Sequence, residues 1–216
     1  VMVFEDCDIE AAVKLCAAGK FRNAGQVCIS PTRFFVQNSI HDKFLALFKE
    51  QVEAVKVGNG LDEDMNMGPL VAERRIEIMD GFVSDAVSKG AELLVGGSGI
   101  QSPGSFFAPT LLQDVPDTAR IMTEEPFGPI APTAQFASLD EVIDRANSLP
   151  FGLAAYAFTG SARTAGVLKR EIETGMLAIN SLHVHSVETP FGGLKFSGYG
   201  HEGGIEGLEV FLATRY

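Results

Sequence analysis

The stretch Phe21-Arg22-Asn23-Ala24-Gly25-Gln26-Val27-Cys28 separates two segments of different periodicity. Before it, Ile9, Ala12, Val13, Cys16 and Ala17 recur at the i, i+3, i+4, i+7, i+8 spacing of one buried helical face, with Asp8 placed to cap the first turn. After it, Arg33 to Gln37 is rich in Phe and Val and reads as a strand. Ala24 and Gly25 are small enough for the backbone to turn sharply just ahead of a lone cysteine. A cysteine on such a turn is a candidate nucleophile, because the thiolate is the reactive form and needs exposure and nearby dipoles. Spacing alone leaves the inert alternative open, since free cysteine is often a buried core residue. Cys16 belongs to that core class by its place on the helical stripe, and Cys7 sits at the helix entrance with no supporting partner.

Outward from this turn the chain keeps alternating. Val1 to Phe4 reads as a strand. Ser39 to Val55 carries Phe44, Leu47, Phe48, Val52 and Val55 at helical spacing. Val71 to Lys89 repeats the pattern, with Gly90 as its stop. Ala91 to Val95 reads as a short buried strand, and Phe106 to Leu112 and Ile130 to Phe136 as further strands. Leu139 to Asn147 and Ala162 to Ile172 read as helices, separated by a strand over Ala154 to Thr159 and followed by another over Gly175 to Ile179. Strand, helix, strand, helix, strand in succession predicts an α/β fold with a mostly parallel sheet covered by helices. Between Asn180 and Gly207 the periodicity dissolves into glycine-rich sequence, either an ordered functional loop or a flexible tail. Leu208 to Tyr216 regains β character.

Composition removes several function classes. A hydrophobic content of 46% with 21% charged residues is that of a soluble globular protein. The net charge of -11 argues against a nucleic-acid surface and against binding to anionic membranes. No apolar run approaches the ~20 residues that span a bilayer, and the opening residues do not read as a secretory signal. Three cysteines, an odd and sparse set, argue against a disulfide framework and for a reducing, cytoplasmic setting. The chain opens on the β-like Val1-Met2-Val3-Phe4, which reads as the middle of a fold, with sequence expected upstream.

Three further groups carry possible chemistry. Glu124-Glu125-Pro126-Phe127-Gly128-Pro129 sets two carboxylates beside an aromatic in a proline-restrained loop. It reads either as a solvated acidic turn or as a carboxylate able to accept both hydroxyls of a ribose. His183-Val184-His185 would present two imidazoles on one side of an extended segment, but no third metal ligand has a suggestive spacing. Pro190 to Gly203 is glycine-rich, yet lacks the order GxxxxGK[ST] and the strand-then-helix context of GxGxxG, so a nucleotide phosphate loop is rejected.

Taken together, GQVC at 25–28, EEPFGP at 124–129 and PFGGLKFSGYGHEGG at 190–204 resemble the catalytic half of the NAD(P)-dependent aldehyde dehydrogenases, in order and over essentially the whole chain. The resemblance implies that Cys28 is the nucleophile, that Glu125 binds the cofactor ribose, that Phe127 packs beside the nicotinamide, and that the 190 segment borders the aldehyde entrance. It implies NAD or NADP as cofactor and oxidation of a small-molecule aldehyde through a Cys28 thiohemiacetal and thioester. Phe21 to Gln26 and Ser186 to Pro190 look most like succinate-semialdehyde dehydrogenases, in which an arginine and a serine at the positions of Arg22 and Ser186 bind the substrate carboxylate. A guanidinium fork suits that role; Arg22 could instead cap a helix end or pair with surface acids. Related semialdehydes with a distal acid stay open.

The resemblance also implies parts outside these residues. Residues 1–207 would be the catalytic domain, and 208–216 the start of a truncated oligomerisation strand of a homo-oligomer, dimer or tetramer. The nucleotide-binding domain, the general-base glutamate and the side-chain asparagine of the oxyanion hole would lie upstream, so this chain alone is expected to bind cofactor poorly and not to turn over. Some succinate-semialdehyde enzymes carry a second cysteine two residues after the nucleophile, as a redox switch; here Ser30 stands there, and no switch is expected. Two readings from other classes are a non-catalytic structural or interaction domain retaining the fold, and a cofactor-free thiol esterase, which needs a histidine base that is not close to Cys28 in sequence.

Overall fold

A computed structural model describes residues 1–216. Its strands are β1 (Met2–Val3), β2 (Phe34–Gln37), β3 (Glu92–Val95), β4 (Thr110–Gln113), β5 (Ile130–Phe136), β6 (Phe151–Gly152), β7 (Ala154–Phe158), β8 (Met176–Ile179) and β9 (Leu194–Lys195). Its α-helices are α1 (Ile9–Phe21), α2 (His41–Glu53), α3 (Arg74–Ser88), α4 (Leu139–Asn147), α5 (Ala162–Glu171) and the single turn α6 (Glu206–Glu209). Seven strands form one sheet in the order β3-β4-β5-β2-β1-β7-β8, parallel throughout except β3. This is the expected mostly parallel α/β sheet.

The sequence explains the local choices. Asp8 accepts from the Ala11 N–H, and Ser138 and Ser161 cap α4 and α5 in the same way. Phe34, Phe35 and Val36 are all buried, because a central parallel strand is covered on both faces and needs no alternation. Phe48 is fully buried and packs against both Phe34 and Phe44 at 5.3 Å between ring centroids, which fastens α2 to the sheet. No helix is long and apolar enough to cross a membrane.

Three expectations need correction. The segment Ala91 to Val95 is not a buried strand. Its strand β3 is the antiparallel edge of the sheet, and Leu93 is 41% exposed because only β4 flanks it. The helix read from Val71 begins only at Arg74, and Val71 is exposed. Leu208 to Tyr216 forms no strand: α6 gives one turn, then the backbone runs without regular structure, with Phe211 and Leu212 exposed. A strand needs a neighbour for its N–H and C=O groups, and within this single chain none lies alongside this segment.

The glycine-rich stretch is an ordered loop, not a free tail. β9 pairs with β6, and Phe191 and Glu202 exchange both backbone hydrogen bonds, at 2.6 and 2.7 Å. Lys195 Nζ donates to the carbonyls of Asn147 (2.9 Å) and Leu149 (3.0 Å). Gly175 sits so close to the Gly192 carbonyl that any side chain there would collide with it.

Candidate active site

The cysteine turn and the acidic turn meet because of the sheet. Each leads into the amino end of a strand, β2 or β5, and those strands are parallel neighbours. The two turns touch: a side chain on Gly25 would collide with the carbonyl of Gly128.

The cysteine turn is backbone-strained. After α1 the residues Asn23 (φ 50°), Ala24 (φ 54°) and Gly25 (φ 71°) lie in the left-handed region in succession. Asparagine and glycine adopt it readily; alanine does so at a cost of about 1 kcal/mol. Such strain persists only where surrounding contacts over-determine it. Here Asn23 Nδ2 donates to the Gln26 carbonyl and Gln26 Nε2 donates to the Asn23 carbonyl, both at 3.1 Å. Gln26 reaches further. Its Nε2 donates to the Pro69 carbonyl at 3.3 Å, and its Oε1 accepts from the Val71 N–H at 2.9 Å. Cys28 follows on a turn closed by the Ser30 N–H on the Val27 carbonyl. Its side chain is exposed.

Two buried side chains hold this turn from below. The Tyr156 hydroxyl on β7 donates to the Ile29 carbonyl at 2.7 Å. Burial raises the Tyr156 phenol above its ordinary value, with the Cys28 thiolate as a smaller second cause. Lys20, fully buried in the last turn of α1, donates from Nζ to the Pro31 carbonyl at 3.0 Å. With no carboxylate beside it, burial brings its ammonium down to about 7. Both residues went unnoticed in the sequence. Lys20 had a signal, since it continues the apolar stripe four residues after Cys16. Tyr156 lies in a short apolar strand and had none.

The acidic turn divides its two glutamates. Arg120 makes a bidentate pair with Glu124, Nε–Oε1 at 2.8 Å and Nη2–Oε2 at 3.0 Å. That pairing holds the Glu124 carboxyl below the usual carboxylate range. Glu125 is exposed and takes part in none of the chain's ion pairs. Phe127 also adopts the left-handed region (φ 41°), and the residue is 37% exposed. A free carboxylate and a partly exposed ring on one fixed turn fit a ligand with hydroxyls and a flat ring.

A cleft of about 140 Å³ has Cys28, Glu125, Arg33, Phe151, Tyr156 and Ser197 in its lining. It joins the two turns to the glycine-rich loop. Arg22 and Ser186 lie outside this lining. The Arg22 guanidinium is exposed and enters none of the ion pairs; only its backbone N–H caps α1, on the Ala18 carbonyl. The exposed Ser186 hydroxyl lies 3.2 Å from that of Thr189, and a hydrogen bond from it lowers the Glu188 carboxyl. His183 and His185 stack on each other at 5.2 Å, and no three His, Cys, Asp or Glu side chains assemble as a metal-ligand set.

The family model described as "Aldehyde dehydrogenase family" matches residues 1–216. A putative 4-(hydroxymethyl)benzenesulfonate dehydrogenase, TsaD2, of Comamonas testosteroni is 44% identical over 216 residues, covering 100% of this chain and 45% of that protein. A probable NADP(+) succinate-semialdehyde dehydrogenase of Sinorhizobium fredii is 41% identical over 215 residues, covering 100% of this chain and 44% of that protein. A crystal structure described as an E. coli NADP-dependent enzyme superposes with a TM-score of 0.96 at 38% identity, over 98% of this chain and 44% of that one. The chain thus spans less than half the length of these relatives. With the family model matching from end to end, the chain belongs to the aldehyde dehydrogenase family.

Proposed function

We propose that these residues form the thiol-bearing part of an NAD(P)-dependent aldehyde dehydrogenase acting on aldehydes with a distal anion, succinate semialdehyde first among them. The observation that carries the reading is the pairing of an exposed Cys28, on a strained turn, with an unpaired Glu125 across one cleft. Glu125 and Phe127 are the residues that would hold the cofactor, which supplies the hydride acceptor when bound. The Cys28 thiolate adds to the aldehyde carbon, forming the C–S bond of a thiohemiacetal. Its backbone N–H is the donor for the oxyanion that develops. After oxidation, water releases the acid from the Cys28 thioester and returns the thiol.

Arg22 is the proposed anion anchor, with Ser186 as a second donor. Its guanidinium enters no ion pair, which supports this over a surface-pairing role, and it caps α1 through its backbone N–H alone. A second reading, an aromatic sulfonate-bearing aldehyde, is favoured by the benzenesulfonate named for the 44% identical relative. A guanidinium fork accepts either anion. The exposed apolar side chains of Phe211 and Leu212 support a homo-oligomer, which sedimentation of the natural polypeptide tests.

The test is Arg22→Gln in the natural polypeptide that carries these residues. KM for succinate semialdehyde, or for 4-sulfobenzaldehyde, should rise at least tenfold, the equivalent of about 1.4 kcal/mol, with KM for butanal unchanged. An equal change for the neutral aldehyde would overturn the anchor.

A further inference from the structure

Arg75 makes contacts that the reading above does not use. It lies in the first turn of α3, and its guanidinium Nη2 donates to the carbonyls of both Pro126 and Phe127, the second at 3.3 Å. Those two carbonyls flank the left-handed Phe127. A bulky residue does not hold that conformation without support. One turn further along the same face of α3, Met79 packs under Gly128 so closely that a side chain on Gly128 would collide with its sulfur. Arg75 and Met79 therefore grip the acidic turn from beneath at successive residues.

The same segment also holds the cysteine turn. The Val71 N–H and the Pro69 carbonyl are the groups to which Gln26 reaches. Residues 69–79 thus hold the nucleophile's turn at one end and Phe127 at the other, while Gly25 and Gly128 meet between them. A rigid brace of this kind fixes the distance between a nucleophile and the group against which a cofactor ring would stack. Reacting atoms need that precision, since small misplacements lose much of the rate.

We propose that Arg75 is a positioning residue, which locks the Phe127 turn in its cofactor-ready shape relative to Cys28. The proposal rests on the cofactor reading of Glu125 and Phe127, and it concerns a residue that touches neither substrate nor reacting atoms.

Two measurements on wild type, Arg75→Met and Arg75→Lys separate the proposal from that reading. The first, amide hydrogen exchange of the chain, needs no cofactor. The amides of Phe127, Gly128 and Ile130 should exchange at least tenfold faster in Arg75→Met, while those of residues 23–28, held by Gln26, stay within about twofold. Arg75→Lys, which restores one charged donor, should fall between. The second is the NAD(P)+ concentration that half-protects Cys28 from iodoacetamide in the natural polypeptide. It should rise about tenfold in Arg75→Met and less in Arg75→Lys, with the unprotected labelling rate unchanged. Unchanged exchange, or unchanged protection in Arg75→Met, overturns the positioning role. A wild type that NAD(P)+ does not protect overturns the cofactor reading and the positioning role with it, even if exchange responds.

Discussion

Replacing Lys20 by methionine tests how the floor under the cysteine turn is built. Lys20 is 0% exposed, donates once, to Pro31, and has no counter-charge. A lysine ordinarily titrates near 10.5, and burial brings this one to about 7. The sign follows from proton counting. Below pH 7 both the folded and the unfolded chain hold the proton, and the folded chain bears the full cost of a buried charge. Between pH 7 and 10.5 the unfolded chain keeps the proton that the folded chain has lost, so stability rises with pH. The whole rise is roughly 5 kcal/mol at about 1.4 kcal/mol per pH unit. Above pH 9 other groups intervene in the opposite sense: burial pushes the Cys16 thiol up to about 12 and Cys7 to about 11. Burial also brings the Val1 amino group, ordinarily near 8, down to about 5, so Lys20 is read from the difference between wild type and Lys20→Met, which should change by about 2 kcal/mol from pH 7 to 9. Urea unfolding across that window should show wild type gaining about 2 kcal/mol more stability than Lys20→Met. The methionine chain loses one hydrogen bond, about 1 kcal/mol, but is relieved of the charge, so it should be the more stable protein at pH 7. Parallel pH profiles for the two proteins would refute the reasoning.

Other expectations follow from single contacts. Tyr156→Phe strips the Ile29 carbonyl of its buried donor, and should cost about 1–2 kcal/mol in urea unfolding while changing the Cys28 labelling rate severalfold. Gly25→Ala puts a methyl into the Gly128 carbonyl at φ 71°; it should destabilise by more than about 2 kcal/mol and disturb both turns in hydrogen exchange. Glu124→Gln and Glu125→Gln should separate: the first weakens the Arg120 pair and leaves NAD(P)+ protection of Cys28 intact, and the second weakens that protection without moving the melting temperature.

Much of the fold could be read because its signals are local. The apolar stripe over Ile9–Ala17 and the cap at Asp8 reside in short windows, and the helix Leu139–Asn147 and strand Ile130–Phe136 match their read boundaries. What failed depends on neighbours. Leu93 is as apolar as a core residue, but its place at the sheet edge is set by which strands pair. Leu208 to Tyr216 has strand-forming residues and no strand to join. At the site, Cys28, Glu125 and Phe127 were flagged by short motifs, whereas their supports were not. Arg75 reaches Phe127 across 52 residues and Tyr156 reaches Ile29 across 127. A lone arginine early in a helix and a tyrosine in a strand carry no mark of such distant partners.

The central claim, that Cys28 is the activated nucleophile of an anionic-aldehyde site, is met most directly by mapping which cysteine reacts. Brief treatment with a thiol-selective reagent at neutral pH, followed by mass spectrometry, should place the label on Cys28 alone and well ahead of the buried Cys16 and half-buried Cys7. Succinate semialdehyde or a dicarboxylate should slow it, and should lose that effect in Arg22→Gln. Labelling of Cys28 that is slower than that of Cys7, or that no anionic ligand slows, would contradict the account.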